Sequence, residues 1–587
     1  MKLPVAFKEK MLGLLGEREY SEFIEALNGD RQYGLRVNRL KIGVGEFNKL
    51  SPFELEPVPW TEDGFYISGE DTPGRHPYYH AGLYYIQEPS AMLPGQILGA
   101  QPGERILDLC AAPGGKTVQI AAAMKGKGLL VSNDINAERV KALVKNIELC
   151  GVKNAIVLNE SPEKLLHNFE GYFDRILIDA PCSGEGMFRK DEAAARSWES
   201  FKCERCTKLQ EPILRSADKL LKPGGTLVYS TCTFSPEEDE RMIAGFLREH
   251  PGYRLVEIPK IAGIEGGRPQ WVNVGAAGGG STGSGNSREN NGCGQVNSGN
   301  SRENNGSGQV NSSNSRENGG NSWVNSGNSR ENSGNGIGLT YNNIRSEVAD
   351  DFTRVARLWP HRVRGEGHFV AKLVKMGDAS DNPDNTGNTD NTGNTGNSDN
   401  TGNTGDPCNN EDFAGHQADP GQICCHNVMP PDSFCKVIGS DMQWEEVLSY
   451  DDLPESFREF VKENMNEMPE GVYMIRGRNL YQLPEQPPSL NGLKVAKFGW
   501  FLGTFEDNRF EPSHSMATAL GASAFKRVLS LGAGSREVGS YLKGETLMLE
   551  GEKGLTAICV DGYTLGWAKQ TGDMLKNQYP KGWRRLS

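Results

Sequence analysis

Two cysteines stand in settings that favour chemistry. Cys182 lies in Asp179-Ala180-Pro181-Cys182-Ser183-Gly184 and Cys232 in Ser230-Thr231-Cys232-Thr233. Each follows an apolar run with the character of a strand, Ile176-Leu177-Ile178 before the first and Thr226-Leu227-Val228-Tyr229 before the second. If both strands belong to one parallel sheet, both thiols emerge at its carboxyl edge, where open α/β folds place their reacting groups. One thiolate there suffices as a nucleophile, and a second thiol beside it can assist in resolving a covalent intermediate.

A third motif lies upstream. The loop Cys110-Ala111-Ala112-Pro113-Gly114-Gly115-Lys116 follows an apolar strand and opens a helix. Its backbone amides can face an anionic group while its glycines allow close approach. The dinucleotide fingerprint Gly-x-Gly-x-x-Gly is absent from it. Asp134 ends the next strand, where an acidic side chain can hold ribose hydroxyls. By itself the loop reads as a generic nucleotide-binding element.

These motifs need a scaffold, and the rhythm from Arg105 onward supplies one. Strands over 105–108, 129–131, 155–158, 175–179 and 225–230 alternate with helices over 116–124 and 137–149. This βαβ series predicts a doubly wound parallel sheet. Residues 253–258 and 368–375 read as two further strands. The first 90 residues begin with a helical pattern (Phe7, Met11, Leu14, Leu15) and continue into a polar and aromatic mixture. That mixture suits an RNA-facing module or a packed core equally well.

Together, Cys110 to Lys116, Asp179-Ala-Pro-Cys182 and Thr231-Cys232-Thr233 resemble the Sun (Fmu) family of RNA cytosine-5 methyltransferases, and within it the RsmF/YebU type, whose bacterial members modify small-subunit ribosomal RNA. The resemblance implies an α/β class I methyltransferase core with a Rossmann-like doubly wound sheet. It also implies a small amino-terminal RNA-facing module and a β-rich, PUA-like carboxyl domain. The implied methyl donor is S-adenosylmethionine, held by Cys110, Ala111, Ala112, Pro113, Gly114, Gly115, Lys116, Asp134 and Asp179. Asn159 stands where the family often has an acidic residue, so no contact is carried over to it. DNA cytosine-5 methyltransferases use a Pro-Cys cysteine as nucleophile, so the chemistry alone leaves the two cysteine roles open. The Sun pattern makes Cys232 the nucleophile and Cys182 the release residue, with Asp179 on the cytosine edge. The target base must leave its stack to reach such a pocket.

The same resemblance puts Trp359 to Phe369 at the substrate mouth, with Arg362, Arg364 and His368 as RNA contacts. Arg354, Arg357, Arg362, Arg364, Lys372 and Lys375, opposed only by Glu366, read as a basic patch within a chain of net charge −13. Much of the acidity is local, since residues 378–412 carry eight acidic side chains and no basic one. A local patch is compatible with an acidic total.

The expected organisation is an amino-terminal module over 1–90, a methyltransferase core over 91–376, an acidic linker over 377–430, an intermediate domain over 431–490 and the PUA-like domain over 491–587. Inside the core, Ser-Arg-Glu-Asn recurs at 287, 301, 315 and 329. That composition cannot offset its ordering entropy, so 276–336 reads as a disordered insert. The Asn-Thr-Gly repeats of 381–405 read as a self-repelling linker leading away from the core. Of the 12 cysteines, Cys110 and Cys150 read as small core residues, while Cys203-Glu-Arg-Cys206 lacks a second ligand pair and Cys424-Cys425-His426 is incidental, so no metal is expected. No apolar run reaches about 18 residues. The expectation is a cytoplasmic, monomeric enzyme acting on 16S rRNA or the small ribosomal subunit, without a membrane. The alternatives are a transfer-RNA cytosine-5 methyltransferase and a non-catalytic ribosome-assembly factor.

Overall fold

The structure, a computed structural model, describes residues 3–190, 195, 196, 198, 203–272, 351–377, 438, 439, 442, 443, 447–468, 470–485 and 487–584. The Ser-Arg-Glu-Asn repeats, the Asn-Thr-Gly tract and Cys424 to His426 lie outside the described residues.

Five parallel strands form the centre: β1 (Arg105–Asp108), β2 (Leu129–Asn133), β3 (Ala155–Leu158), β4 (Phe173–Asp179) and β5 (Leu221–Thr231). Alternate residues of each strand enter different cores. Leu107, Val131, Ile156 and Ile176 join one cluster, and Ile106, Leu130, Val157 and Leu177 join the other. A sheet covered on both faces in this way reads in sequence as continuous apolar runs. Four more strands complete it: β6 (Tyr253–Leu255), β7 (Ala356–Leu358), β8 (His368–Lys375) and β9 (Val495–Lys497). The order is β6-β8-β5-β4-β1-β2-β3-β9, with β7 also paired to β8. β8 runs antiparallel to β5, and β6 antiparallel to β8. The connectivity leaves β1 in both directions, so the crevice between β1 and β4 is the switch point where ligands bind in doubly wound sheets.

β9 corrects the expectation of a carboxyl region held away from the core. Val495 pairs with Leu158 of β3, and Leu490, Leu493 and Phe498 enter the same cluster as β1 to β5. The chain after the acidic tract therefore closes the open edge of the sheet. The boundary expected at 490/491 also falls within one five-stranded sheet, in which Asn479–Leu483 pairs with Trp500–Glu506. A separate four-stranded sheet follows over 528–577.

The amino-terminal helix Val5–Asn28 bends at Gly16, whose φ of 72° and ψ of 166° leave the helical region. It buries Phe7, Met11, Phe23 and Leu27 against Phe188, Phe234 and Trp359 beside the cysteine loops. The aromatics of the following module form core: Phe47, Tyr78 and Tyr84 share a cluster with Val538, Tyr541 and Tyr579 of the carboxyl region. Tyr78 Oη donates to Asp561 Oδ2 at 2.8 Å across that junction. Among the described residues, no helix is long and apolar enough to cross a membrane.

Candidate active site

β4 and β5 are neighbours in register, with Asp179 paired to Ser230. Their carboxyl ends therefore release the two cysteine loops side by side. Cys182 Sγ stands 3.3 Å from Cys232 Sγ, and next along each loop Ser183 Oγ is 2.8 Å from Thr233 Oγ1. Gly186 N–H donates to the Cys232 carbonyl at 2.9 Å. A β-carbon at Gly186 would lie 2.5 Å from the Gly367 carbonyl oxygen, so a residue without a side chain is required at this crossing. The adjacent Cys232 thiol, burial and Glu238 together push the Cys182 thiol well above its ordinary range, because two thiols this close cannot both ionise. One of the two thiols therefore keeps its proton while the other can ionise.

The loop after β1 meets this site from the other side of β4. Gly114 takes a φ of 108°, which turns the chain sharply into the helix Gly115–Met124. A β-carbon on Gly115 would press on Tyr85 Cε1 at 3.1 Å. Lys116, the second residue of the helix, donates from Nζ to Asp179 Oδ2 at 2.6 Å, and Ser230 Oγ donates to Asp179 Oδ1 at 3.1 Å. Burial would raise the Asp179 carboxyl, yet Lys116, His368 and these hydrogen bonds hold it below the usual range. Its side chain remains 35% exposed, so an incoming group can reach it. Asp134, at the end of β2, accepts from Ala112 N–H at 3.2 Å and Asn136 N–H at 2.9 Å. Asp108 accepts from Thr117 Oγ1 at 2.7 Å, and burial pushes its carboxyl up to about 7. Asn159 turns inward, donating to the Asp134 carbonyl at 2.8 Å.

The residues expected to contact RNA are arranged differently. His368 is buried, with neither ring nitrogen hydrogen-bonded, and burial beside Lys116 pushes it down to about 3. It is a neutral imidazole buried inside the site, beside Lys116 and Asp179. Arg362 is held between Glu22 at 2.9 Å and Glu265 at 3.2 Å, and Arg364 pairs with Glu56 above the Tyr66 ring. The basic patch read from 354–375 is thereby largely neutralised, since Arg354 pairs with Asp351, Lys375 with Asp218, and Arg357 with Asp239 and Glu240. Apart from Asp351, three residues before Arg354, these partners are distant in sequence. Cys203 lies 3.5 Å from Lys10 Nζ, and its neighbour Cys206 is buried.

Glu237-Glu238-Asp239-Glu240 is not among the residues expected at the site. The last three are fully buried, each with its own partner. Glu238 Oε2 accepts from Ser183 N–H at 2.9 Å, Asp239 Oδ1 from Thr231 Oγ1 at 2.6 Å, and Glu240 Oε1 from Arg357 Nε at 2.7 Å. The signal in the sequence is their place just beyond the Thr-Cys-Thr motif, after Phe234-Ser235-Pro236.

Four family models match the chain in succession. They are the N-terminal domain of 16S rRNA methyltransferase RsmF over 3–89, 16S rRNA methyltransferase RsmB/F over 95–273, the RsmF rRNA methyltransferase first C-terminal domain over 459–520 and the methyltransferase RsmF PUA domain over 528–585. The chain belongs to the RsmB/F methyltransferase family. In this RsmB/F chain the second of those segments contains residues 110–116, Asp134, Asp179, Cys182 and Cys232, whereas Arg362, Arg364 and His368 lie outside all four. The chain is 41% identical over 264 residues to ribosomal RNA small subunit methyltransferase F of Erwinia tasmaniensis, covering 43% of this chain and 55% of that one. It is 41% identical over 271 residues to the protein of the same name from Vibrio parahaemolyticus, covering 45% and 56%. The chain thus spans about half the length of the curated relatives it matches. Among solved structures it is similar to a methyltransferase homolog protein from Pyrococcus horikoshii, with 26% identity, a TM-score of 0.42, and coverage of 64% of this chain and 100% of that one.

Proposed function

We propose that this chain is an RNA cytosine-5 methyltransferase that transfers a methyl group from S-adenosylmethionine to a cytosine of 16S rRNA through a covalent cysteine adduct. The observation that carries the reading is the 3.3 Å approach of Cys182 and Cys232 beside the Lys116–Asp179 pair. Carbon 5 of cytosine is a poor nucleophile. Addition of the Cys232 thiolate to carbon 6 forms a C–S bond and moves the ring electrons onto carbon 5, which can then accept an alkyl group. Loss of the carbon 5 proton to a base restores the double bond as the C–S bond breaks and the thiolate leaves. Cys182, whose sulfur lies 3.3 Å from that of Cys232, is suited to assist that release. Asp179, held as a carboxylate by Lys116 and Ser230, is suited to hold the amino edge of the base.

The chain's residues fit the sulfonium donor. Residues 110–116 and Asp134 would hold it, and it supplies the electrophilic methyl group. Two observations support the fit: Asp108 Oδ1 is buried without a hydrogen-bond partner, and the Asp179 carboxylate stays open at the switch point. The relatives' names support ribosomal RNA of the small subunit as substrate. The PUA model over 528–585 supports an RNA partner. A monomer working in the cytoplasm is consistent with that substrate. The reading is tested by bisulfite sequencing of ribosomal and transfer RNA from cells with and without this protein. A protected cytosine in 16S rRNA that disappears on deletion is expected. A change confined to transfer RNA would overturn the ribosomal assignment.

A further inference from the structure

Glu238 lies six residues beyond Cys232, yet it holds the loop of the other cysteine. Its Oε2 accepts from the Ser183 N–H at 2.9 Å, the amide directly after Cys182. The same oxygen accepts from Gln210 Nε2 at 3.1 Å, and that nitrogen also donates to the Pro181 carbonyl at 2.9 Å, directly before Cys182. Both peptide units flanking Cys182 are therefore fastened to one buried pair of side chains. The pair is itself anchored to β5, because Tyr229 Oη donates to the Glu238 carbonyl at 2.8 Å. Cys232 is tied separately, through its carbonyl to Gly186 N–H.

We propose that Glu238 is a positioning residue for Cys182: with Gln210 it fixes the Pro181–Ser183 backbone so that the Cys182 thiol meets Cys232, and it thereby governs product release rather than attack. The inference rests on the proposed function, in which Cys182 serves release. It needs no contact between Glu238 and the substrate. A glutamine in its place keeps an oxygen able to accept from Ser183 N–H, whereas alanine removes the fastening altogether.

The test uses the full chain as wild type, Glu238→Ala, Glu238→Gln and Gln210→Ala, with a 16S rRNA fragment and S-adenosylmethionine. Formation and decay of the covalent adduct are followed in single turnovers on denaturing gels. In Glu238→Ala and Gln210→Ala, decay is expected to slow by about tenfold or more, with formation within about threefold of wild type. Glu238→Gln is expected to stay within about threefold in both steps. Equal losses in formation and decay, unchanged decay, or a Glu238→Gln variant as impaired as Glu238→Ala would each overturn the proposal. If Glu238→Ala fails to fold by circular dichroism, Gln210→Ala and Glu238→Gln decide by the same criteria. A wild-type chain that forms neither adduct nor methylated cytosine would overturn the proposed function itself, and with it this inference.

Discussion

Lys494 donates its backbone N–H to Glu160 Oε1 at 2.9 Å, tying the segment that leads into β9 to the carboxyl end of β3. The Lys494 carbonyl in turn accepts from Asn159 N–H at 3.0 Å. Glu160 is itself locked to the end of β2, where its N–H meets Asn133 Oδ1 at 3.1 Å, next to Asp134. The carboxyl region thus reaches the strands that would carry the methyl donor. Truncation after Lys375 is expected to bare this edge and weaken S-adenosylmethionine binding at least tenfold, or to yield an aggregating chain, since exposed edges pair readily. Calorimetry on a soluble truncation with full affinity would show that β9 is dispensable to the site.

Arg357 is a second point where distant parts converge. It is 1% exposed and compensates two buried carboxylates, with Nη2 3.0 Å from Asp239 and Nε 2.7 Å from Glu240 Oε1. Removing one member of such a cluster leaves the others charged and unpaired. Arg357→Leu is expected to cost about 3–5 kcal/mol in urea unfolding. A loss below about 1 kcal/mol would mean that the carboxylates are neutral without it.

Acid should loosen the amino-terminal helix from the cysteine loops. Burial alone would raise the Glu237 carboxyl, but Lys10, the Ser235 hydroxyl and Arg241 bring it down to about 2. A carboxyl lowered from about 4.3 in the unfolded chain stabilises the fold fully above that pH and loses its contribution as pH falls toward 2. Glu237→Gln should therefore be less stable than wild type near neutrality. The gap in thermal midpoint should narrow as pH falls below about 4. A gap independent of pH would show that the carboxylate charge is not what binds Lys10.

The central strands were legible because burial on both faces writes them as uninterrupted apolar runs. The bounds expected for 105–108, 155–158 and 368–375 match β1, β3 and β8. The helix Cys203–Leu220 was not foreseen, since Pro212 interrupts an otherwise regular spacing of buried residues. β9 is only three residues long, too short to carry a periodicity that could be read. At the site, cysteine spacing relative to the strand ends anticipated that the two thiols meet. The charges misled: Arg357, Arg362 and Arg364 look free along the chain because Glu240, Glu22, Glu265 and Glu56 arrive from other elements. Glu238 stayed hidden because four successive acidic residues carry no periodicity that marks the three of them that are buried.

The central claim is that Cys232 forms the bond to cytosine and Cys182 releases it. Its most direct measurement is the fate of labelled 16S rRNA incubated with S-adenosylmethionine and each alanine variant, resolved on denaturing gels. Cys182→Ala should retain the RNA as a covalent complex, while Cys232→Ala should give neither complex nor methylated cytosine. A complex that accumulates with Cys232→Ala and is absent with Cys182→Ala would contradict the assignment.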